Sequence, residues 1–304
     1  MNIQPPRHTN DIFFVSTQGI KTFRAPETII YCYQAKEIQA AMHRLDEYIA
    51  HGKYIAGFLA YAAGWAFLER SVPKQTHEFP LLWFGVYNAP AEAPVPLLQE
   101  TNTATQVQWE PALTHEDYSH RMERIRAYIG AGDIYQANFT FPLQTQAELE
   151  PLQWFWHLYA SQPTDHAAYI DTGHYNILSL SPELFFSLSG EELTTRPMKG
   201  TIPRGVYPEQ DEQKRQQLLD SEKDHAENVM IVDLLRNDMG KISRTNSVKV
   251  VSLFDVEKYA TVWQMTSTIK SHTNASFSEI MTALFPSGSV TGAPKIRAME
   301  IIDE

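Results

Sequence analysis

A carboxylate and an amine stand sixteen residues apart: Glu183 in Ser181-Pro182-Glu183-Leu184-Phe185-Phe186, and Lys199 in Arg196-Pro197-Met198-Lys199-Gly200-Thr201. That separation suits neighbouring antiparallel strands joined by one hairpin. Facing one cleft, the two groups could act as a general acid and as a base or nucleophile. On a solvated sheet face they form an ordinary cross-strand ion pair, and spacing alone favours that reading. Another carboxylate, Glu227 in Lys223-Asp224-His225-Ala226-Glu227-Asn228, follows Lys199 by twenty-eight residues. A glutamate on a helix beside an anionic substrate can hold Mg²⁺, which takes one or two protein carboxylates plus substrate oxygens. The alternative is a plain polar helix face.

Two more segments carry groups suited to binding. Phe285-Pro286-Ser287-Gly288-Ser289-Val290-Thr291-Gly292-Ala293-Pro294-Lys295 has the glycines of a phosphate loop. No Lys-Ser or Lys-Thr follows Gly292, which excludes a Walker loop. What remains is a glycine-bearing loop entering a helix, whose free amides suit a carboxylate; a simple turn fits equally well. In Gly132-Asp133-Ile134-Tyr135-Gln136-Ala137-Asn138-Phe139, the amides of Gln136 and Asn138 can orient a substrate or ammonia but cannot shuttle protons. His51 and His157 carry no assignment. Cys32 lies in an apolar strand and reads as packing, and Trp154-Phe155-Trp156 reads as a helix face.

Periodicity supplies the elements that must position these groups. Strand-like runs cover 29–33, 55–61 and 81–87, with a helix over 36–51 that places Ile38, Met42, Leu45 and Ile49 on one face and stops at Gly52. Three prolines in Asn88–Pro96 mark a connector. Thr114-His115-Glu116-Asp117 opens a second helix, with Tyr118, Met122, Ile125 and Ile129 on one face and Gly130 and Gly132 at its end. Strands are expected at 134–143, 167–171, 175–180, 184–189 and 193–197, turning near Gly173 and Gly190. A polar helix over 221–237, a strand over 248–256 and helices near 277–285 and 294–304 complete the pass. Strand runs broken by helices imply an α+β chain with mainly antiparallel sheet. The division expected is a strand-rich part with its proline linker over 1–96 and a catalytic region over 97–304, together one structural domain.

Composition removes several classes. With 25 Lys+Arg against 36 Asp+Glu and 43% apolar residues in 304, the chain is globular and acidic. Its scattered cations do not make a nucleic-acid surface. A single cysteine excludes an internal disulfide framework and points to a reducing, cytoplasmic setting. The longest apolar run, Ile55–Leu68, is about 14 residues with two glycines, short of the roughly 20 that a spanning helix needs. No membrane attachment is expected.

Taken together, Gly132–Thr140, Ser181–Phe186, Pro197–Arg204, Lys223–Gly240 and Phe285–Glu304 resemble, in order and spacing, the chorismate-utilising enzyme family. The resemblance covers residues 114–304, with a weaker echo at Gly57–Gly64. It implies two packed, largely antiparallel sheets flanked by helices, as in anthranilate synthase component I. Within the family, Lys199 in Pro-Met-Lys-Gly-Thr is similar to the aminodeoxychorismate synthase branch, where anthranilate synthases carry Ala. Gln136 stands where the water-adding isochorismate and salicylate synthases carry a catalytic Lys. The implied activity is therefore amination of chorismate with ammonia to 4-amino-4-deoxychorismate, toward para-aminobenzoate and folate. The resemblance makes Glu183 the general acid and Lys199 the nucleophile, with Mg²⁺ on Glu227. Substrate contacts would come from Gln136, Asn138, Gly200, Thr201, Gln264, Ser289, Thr291, Gly292 and Lys295; Gln264 replaces the family's histidine. A glutamine amidotransferase subunit is the implied partner. Family members continue beyond Ile301-Ile302-Asp303 with strands that bring a second Mg²⁺ carboxylate, so this chain is expected to lack part of its site. The other readings are an anthranilate or isochorismate synthase, or a non-catalytic chorismate-binding subunit.

Overall fold

The computed structural model describes residues 10–68, 78–95, 107–147 and 149–304. The first part holds β1 (Ile12–Ser16), β2 (Gly19–Phe23), β3 (Thr28–Cys32), α1 (Ala35–Ala50), β4 (Tyr54–Leu59), β5 (Leu82–Tyr87) and β6 (Ala91–Ala93). Then come β7 (Glu110–Pro111), α2 (His115–Ala131), β8 (Gln136–Ala137), β9 (Leu143–Gln144), α3 (Pro151–Ser161), β10 (His166–Asp171) and β11 (Asn176–Ser181). The second half holds β12 (Leu184–Ser189), β13 (Glu192–Arg196), β14 (Met198–Pro203), α4 (Pro208–Leu219), α5 (Glu222–Gly240), β15 (Lys249–Lys258) and β16 (Val262–His272). It closes with α6 (Phe277–Leu284), β17 (Gly292–Ala293) and α7 (Lys295–Asp303).

Every strand pairing described is antiparallel, and the mixed α and β content matches the expected class. One sheet runs β11-β10-β1-β2-β6, so strands from both sides of residue 96 share it. Ile12, Phe23, Ala168 and Ile170 on its inner face meet Ala56, Trp83 and Tyr87 of the sheet β3-β5-β4. The far face of that smaller sheet buries Ile30, Phe84 and Val86 against Ile38, Met42 and Leu45 of α1, three of the four residues of the expected face; Ile49, in the last turn of the helix beyond the reach of the sheet, is exposed.

The second five-stranded sheet holds the chemistry-bearing residues. β13 and β14 are successive parts of one strand, interrupted at Pro197. Both pair with β16, Thr195 opposite Ile269 and Met198 opposite Thr266. β12 flanks β13, and β15 flanks β16 on the other side. Helices α5 and α6 cover one face, burying Leu193, Ile231, Val232, Leu235, Ile269 and Ile280 together. β11 ends the first sheet and β12 begins the second, so Pro182 and Glu183 form the crossing between them.

Several local expectations change. The connector is in part a strand: Ala91–Ala93 pairs with β2 at the sheet edge, between Pro90 and Pro94, where missing amide donors are tolerated. Pro96 lies outside the described residues. The expected strand over 134–143 reduces to β8 and β9, because Tyr135 and Asn138 give their amides to the carbonyls of Ala293 and Thr291. Trp154, Phe155 and Trp156 lie on a helix as expected, α3, whereas α4, β1, β2 and β16 are not expected from the sequence pattern. α4 escapes a periodicity search because it is polar nearly all round, with only Asp211 and Leu218 buried. The α2 cap is as expected, Thr114 accepting from the Asp117 amide and Gly132 closing the helix at φ +80°. Its apolar face, however, buries no residue; Tyr118 and Ile129 stay exposed. Among the described residues, no helix is long and apolar enough to cross a membrane.

Candidate functional site

Lys199 owes its position to a bulge. The β14–β16 ladder shifts register between Met198 and Thr201, so Lys199 and Gly200 leave the regular pleat. Gly200 has φ +97°, a conformation that disfavours a side chain, and a Cβ there would lie 3.1 Å from Asp224 Cβ and 3.2 Å from Leu218. The strand therefore presses directly on the start of α5, the helix that carries Glu227. That start is fixed by Ser221, whose hydroxyl accepts from the Asp224 amide at 3.3 Å.

Glu183 reaches the same place from the crossing between sheets. Its backbone amide donates to Ser181 Oγ at 3.2 Å, which turns the chain. Ser289 Oγ donates to Glu183 Oε1 at 2.6 Å, and the nearby Met198 amide favours the ionised carboxylate. Burial pushes the Glu183 carboxyl above its usual range, and the hydroxyl, the amide and the charge of Lys199 offset this only in part. Burial pushes the Lys199 amine below its usual range, against the opposing pull of Glu183 and Glu227. Nζ of Lys199 makes no hydrogen bond or ion pair among the described residues. Glu183 and Glu227 both act electrostatically on the Lys199 amine, so the fold brings the three groups near one another. The simple ion pair between Glu183 and Lys199 is not formed.

Glu227 is half-buried on α5, with Lys223 Nζ 3.6 Å from its carboxylate. Among the described residues, no three His, Cys, Asp or Glu side chains form a group able to hold a metal.

Most of the other expected contacts gather around this core. Thr201 is the cross-strand partner of Gln264, which places both on the same stretch of sheet as Lys199. Gly292 and Ala293 pair with Ala137 and Gln136, and the Asn138 amide donates to the Thr291 carbonyl at 2.8 Å. Gln136 Oε1 is buried with no hydrogen-bond partner among the described residues. Thr291 is fully buried and its hydroxyl donates to the Ser287 carbonyl at 2.8 Å. Lys295 behaves differently. Its amine donates to Asp238 at 2.6 Å and lies 3.5 and 3.4 Å from the carbonyls of Ala283 and Leu284. That amine ties α7 to the far end of α5, and Asp238 offsets only in part the burial that pushes it below its usual range.

Two features near the site went unread in the sequence. Asn228, one residue past Glu227, is 1% exposed, and its Oδ1 accepts from Ser267 Oγ at 2.5 Å while Nδ2 has no partner among the described residues. Its signal was an asparagine inside a helix otherwise buried by Ile231, Val232 and Leu235. Arg204 and Asp211, beyond β14, form a bidentate pair against Trp263. Nothing in the local sequence links Asp211 to Trp263.

The chain matches the family described as chorismate binding enzyme over residues 7–304. It is 40% identical over 226 residues to an aminodeoxychorismate synthase component 1 of Klebsiella aerogenes, covering 74% of this chain and 48% of that protein. An anthranilate synthase component 1 of Haloarcula marismortui is 38% identical over 207 residues, 67% of this chain and 42% of that protein. The chain thus spans about half the length of the curated relatives it matches. The crystal structure of anthranilate synthase component I from Streptococcus pneumoniae superposes with a TM-score of 0.80 at 23% identity, covering 99% of this chain and 78% of the other. That likeness establishes the fold. Identity to the two named activities differs by only two percentage points, so the choice between them turns on individual residues.

Proposed function

Since the chain belongs to the chorismate-binding enzymes, we propose that it aminates chorismate with ammonia to 4-amino-4-deoxychorismate. The observation that carries this reading is the Lys199 amine: half-buried, on a bulge, near two carboxylates and bonded to neither. A desolvated amine holds its proton less tightly and is free to attack carbon. An amine committed to an ion pair is not.

In this mechanism Lys199 attacks C2 of chorismate while Glu183 gives its proton to the departing C4 hydroxyl. Burial keeps that proton available at a higher pH than an exposed glutamate would allow. Ammonia then adds at C4 and expels Lys199. Gln136 and Gln264 offer neutral amides beside the reacting ring, and the Gly200 and Thr201 amides are donors for a substrate carboxylate. Mg²⁺ held by Glu227 would neutralise the ring carboxylate in an otherwise acidic protein. The natural setting proposed is cytoplasmic, with a glutamine amidotransferase subunit supplying the ammonia.

Product identification by mass spectrometry tests the reading, with chorismate, ammonium and Mg²⁺ supplied to the protein. Aminodeoxychorismate is the expected product. Anthranilate or isochorismate would replace the proposed activity with another of the same family. Binding of chorismate without any product would leave a chorismate-binding subunit.

A further inference from the structure

The loop that carries Ser289 sits where a substrate contact is expected, yet its hydroxyl is already directed elsewhere. Ser289 Oγ donates to Glu183 Oε1 at 2.6 Å, and the side chain is 4% exposed. A serine hydroxyl has one proton, so a proton given to Glu183 is not available to a substrate carboxylate. Ser287 Oγ lies 2.9 Å from Ser289 Oγ. Because Ser289 spends its proton on Glu183, Ser287 must be the donor in that second bond.

The turn that holds the two serines is fixed from both sides. A Cβ on Gly288 would lie 2.4 Å from Leu234 Cδ2, so the backbone rests directly on α5. The buried Thr291 hydroxyl ties back to the Ser287 carbonyl at 2.8 Å, and the Thr291 amide donates to the Gly288 carbonyl at 3.2 Å. These contacts hold the backbone of Ser289 beside Glu183.

We infer that Ser287 and Ser289 form a directed pair of hydroxyls that orients the Glu183 carboxyl and sets how tightly it holds its proton. Ser289 is on this account a positioning residue for the acid, not a ligand of the substrate. The inference deepens the proposed function, since it concerns the same acid, and it rests on that reading only for the catalytic meaning of Glu183. With Glu183 ionised, the chain of donors runs from Ser287 to Ser289 to the carboxylate. With Glu183 protonated, its own O–H can donate to Ser289 and the chain reverses. Ser287 is partly exposed, so the pair also connects the buried acid with solvent. The charged group facing Glu183 is Lys199, which is itself under the influence of Glu227 from α5. The turn contributes only neutral hydroxyls.

The test is an infrared pH titration of the ligand-free chain, with the Glu183 carboxyl band assigned by its loss in Glu183→Gln. A hydrogen bond to a carboxylate stabilises the charged form, so Ser289→Ala should raise the midpoint by about one pH unit. Ser287→Ala should raise it by less, because Ser289 keeps its proton but loses the group that orients it. Ser289→Thr retains the hydroxyl and should titrate like the unsubstituted chain. Ser289→Cys, close to serine in size and a weak donor, serves if the alanine variant does not fold, and should also raise the midpoint. An unmoved midpoint in Ser289→Ala or Ser289→Cys overturns the inference, as does a Ser289→Thr midpoint that moves as far as that of Ser289→Ala. The titration needs no substrate. If the midpoints shift as expected and no aminated product forms, the proposed activity falls and the hydroxyl pair stands. If product forms and the midpoints do not move, the reverse holds.

Discussion

Lys199 and Arg204 lie five residues apart along and just beyond β14, and their surroundings treat the two cations in opposite ways. Arg204 is saturated. Asp211 accepts from its Nε at 2.6 Å and its NH2 at 2.5 Å, the Tyr259 carbonyl takes a third bond at 2.8 Å, and the Trp263 ring lies 4.9 Å beneath the guanidinium. Asp211 is equally well supplied, accepting also from the Gly205 amide at 3.0 Å and Trp263 Nε1 at 2.9 Å. Its carboxyl is held far below the usual carboxylate range, first by the Arg204 hydrogen bonds. Lys199, by contrast, faces two carboxylates and bonds to neither, and burial moves both its amine and the Glu183 carboxyl toward their neutral forms. One end of the strand offsets the desolvation of charge with partners; the other leaves it standing. Uncompensated desolvation is what makes a proton or a lone pair available, so the second end is where chemistry belongs.

The largest expected effect breaks the open end. Lys199→Ala should lower the rate of aminodeoxychorismate formation by at least ~10²-fold. With ammonia withheld, intact-protein mass spectrometry should find a chorismate adduct in the unsubstituted chain, mapped to Lys199, and none in the variant. Near-normal synthesis by Lys199→Ala would make Lys199 a bystander and favour direct addition of ammonia.

Breaking the saturated end should affect stability instead. Asp211→Asn removes the charge that Arg204, Trp263 and Gly205 all address, and it should lower Tm by ~5 °C at neutral pH. The folded-state pKa of Asp211 lies below its unfolded value. Its contribution is therefore complete above the ordinary carboxylate range and is lost as pH falls below about 4. The gap in Tm between the two proteins should close over the same interval in a calorimetric series.

Glu183→Gln should move stability the other way. The folded-state pKa of Glu183 is raised, so ionisation costs stability above its unfolded value and costs nothing below it. The amide should raise Tm by ~1–2 °C at neutral pH, give no gain under acid conditions, and slow adduct formation. A loss of stability at neutral pH would mean that the carboxylate is fully compensated, like Asp211.

How much of this contrast is legible in the sequence differs between its halves. The open end is nearly all there: the motif order and strand pattern place Glu183, Lys199 and Glu227 together, because each sits in a short segment with its own local signature. What spacing cannot show is that the pair is unbonded, since that depends on a bulge created by register with β16. The saturated end is invisible, because α4 lacks an apolar stripe and Asp211 meets Trp263 only through the fold. Lys295 shows the same limit from the other side. Its place in the glycine-bearing loop suggests a substrate contact, and its real partner, Asp238, lies 57 residues away.

The smallest effect concerns the metal. With no group of three metal-ligating side chains among the described residues, Mg²⁺ should bind this chain weakly without substrate, measured by titration calorimetry. Tight binding would show that a second ligand is already present.

The contrast between the two ends of β14 rests most directly on the proton affinity of Lys199. An NMR titration of isotope-labelled lysine side chains in the ligand-free chain measures it, with the Lys199 signal assigned by its loss in Lys199→Ala. A midpoint clearly below those of the exposed lysines is the predicted result. A Lys199 midpoint among or above the exposed lysines would contradict the account, since the amine would then hold its proton as firmly as any surface cation.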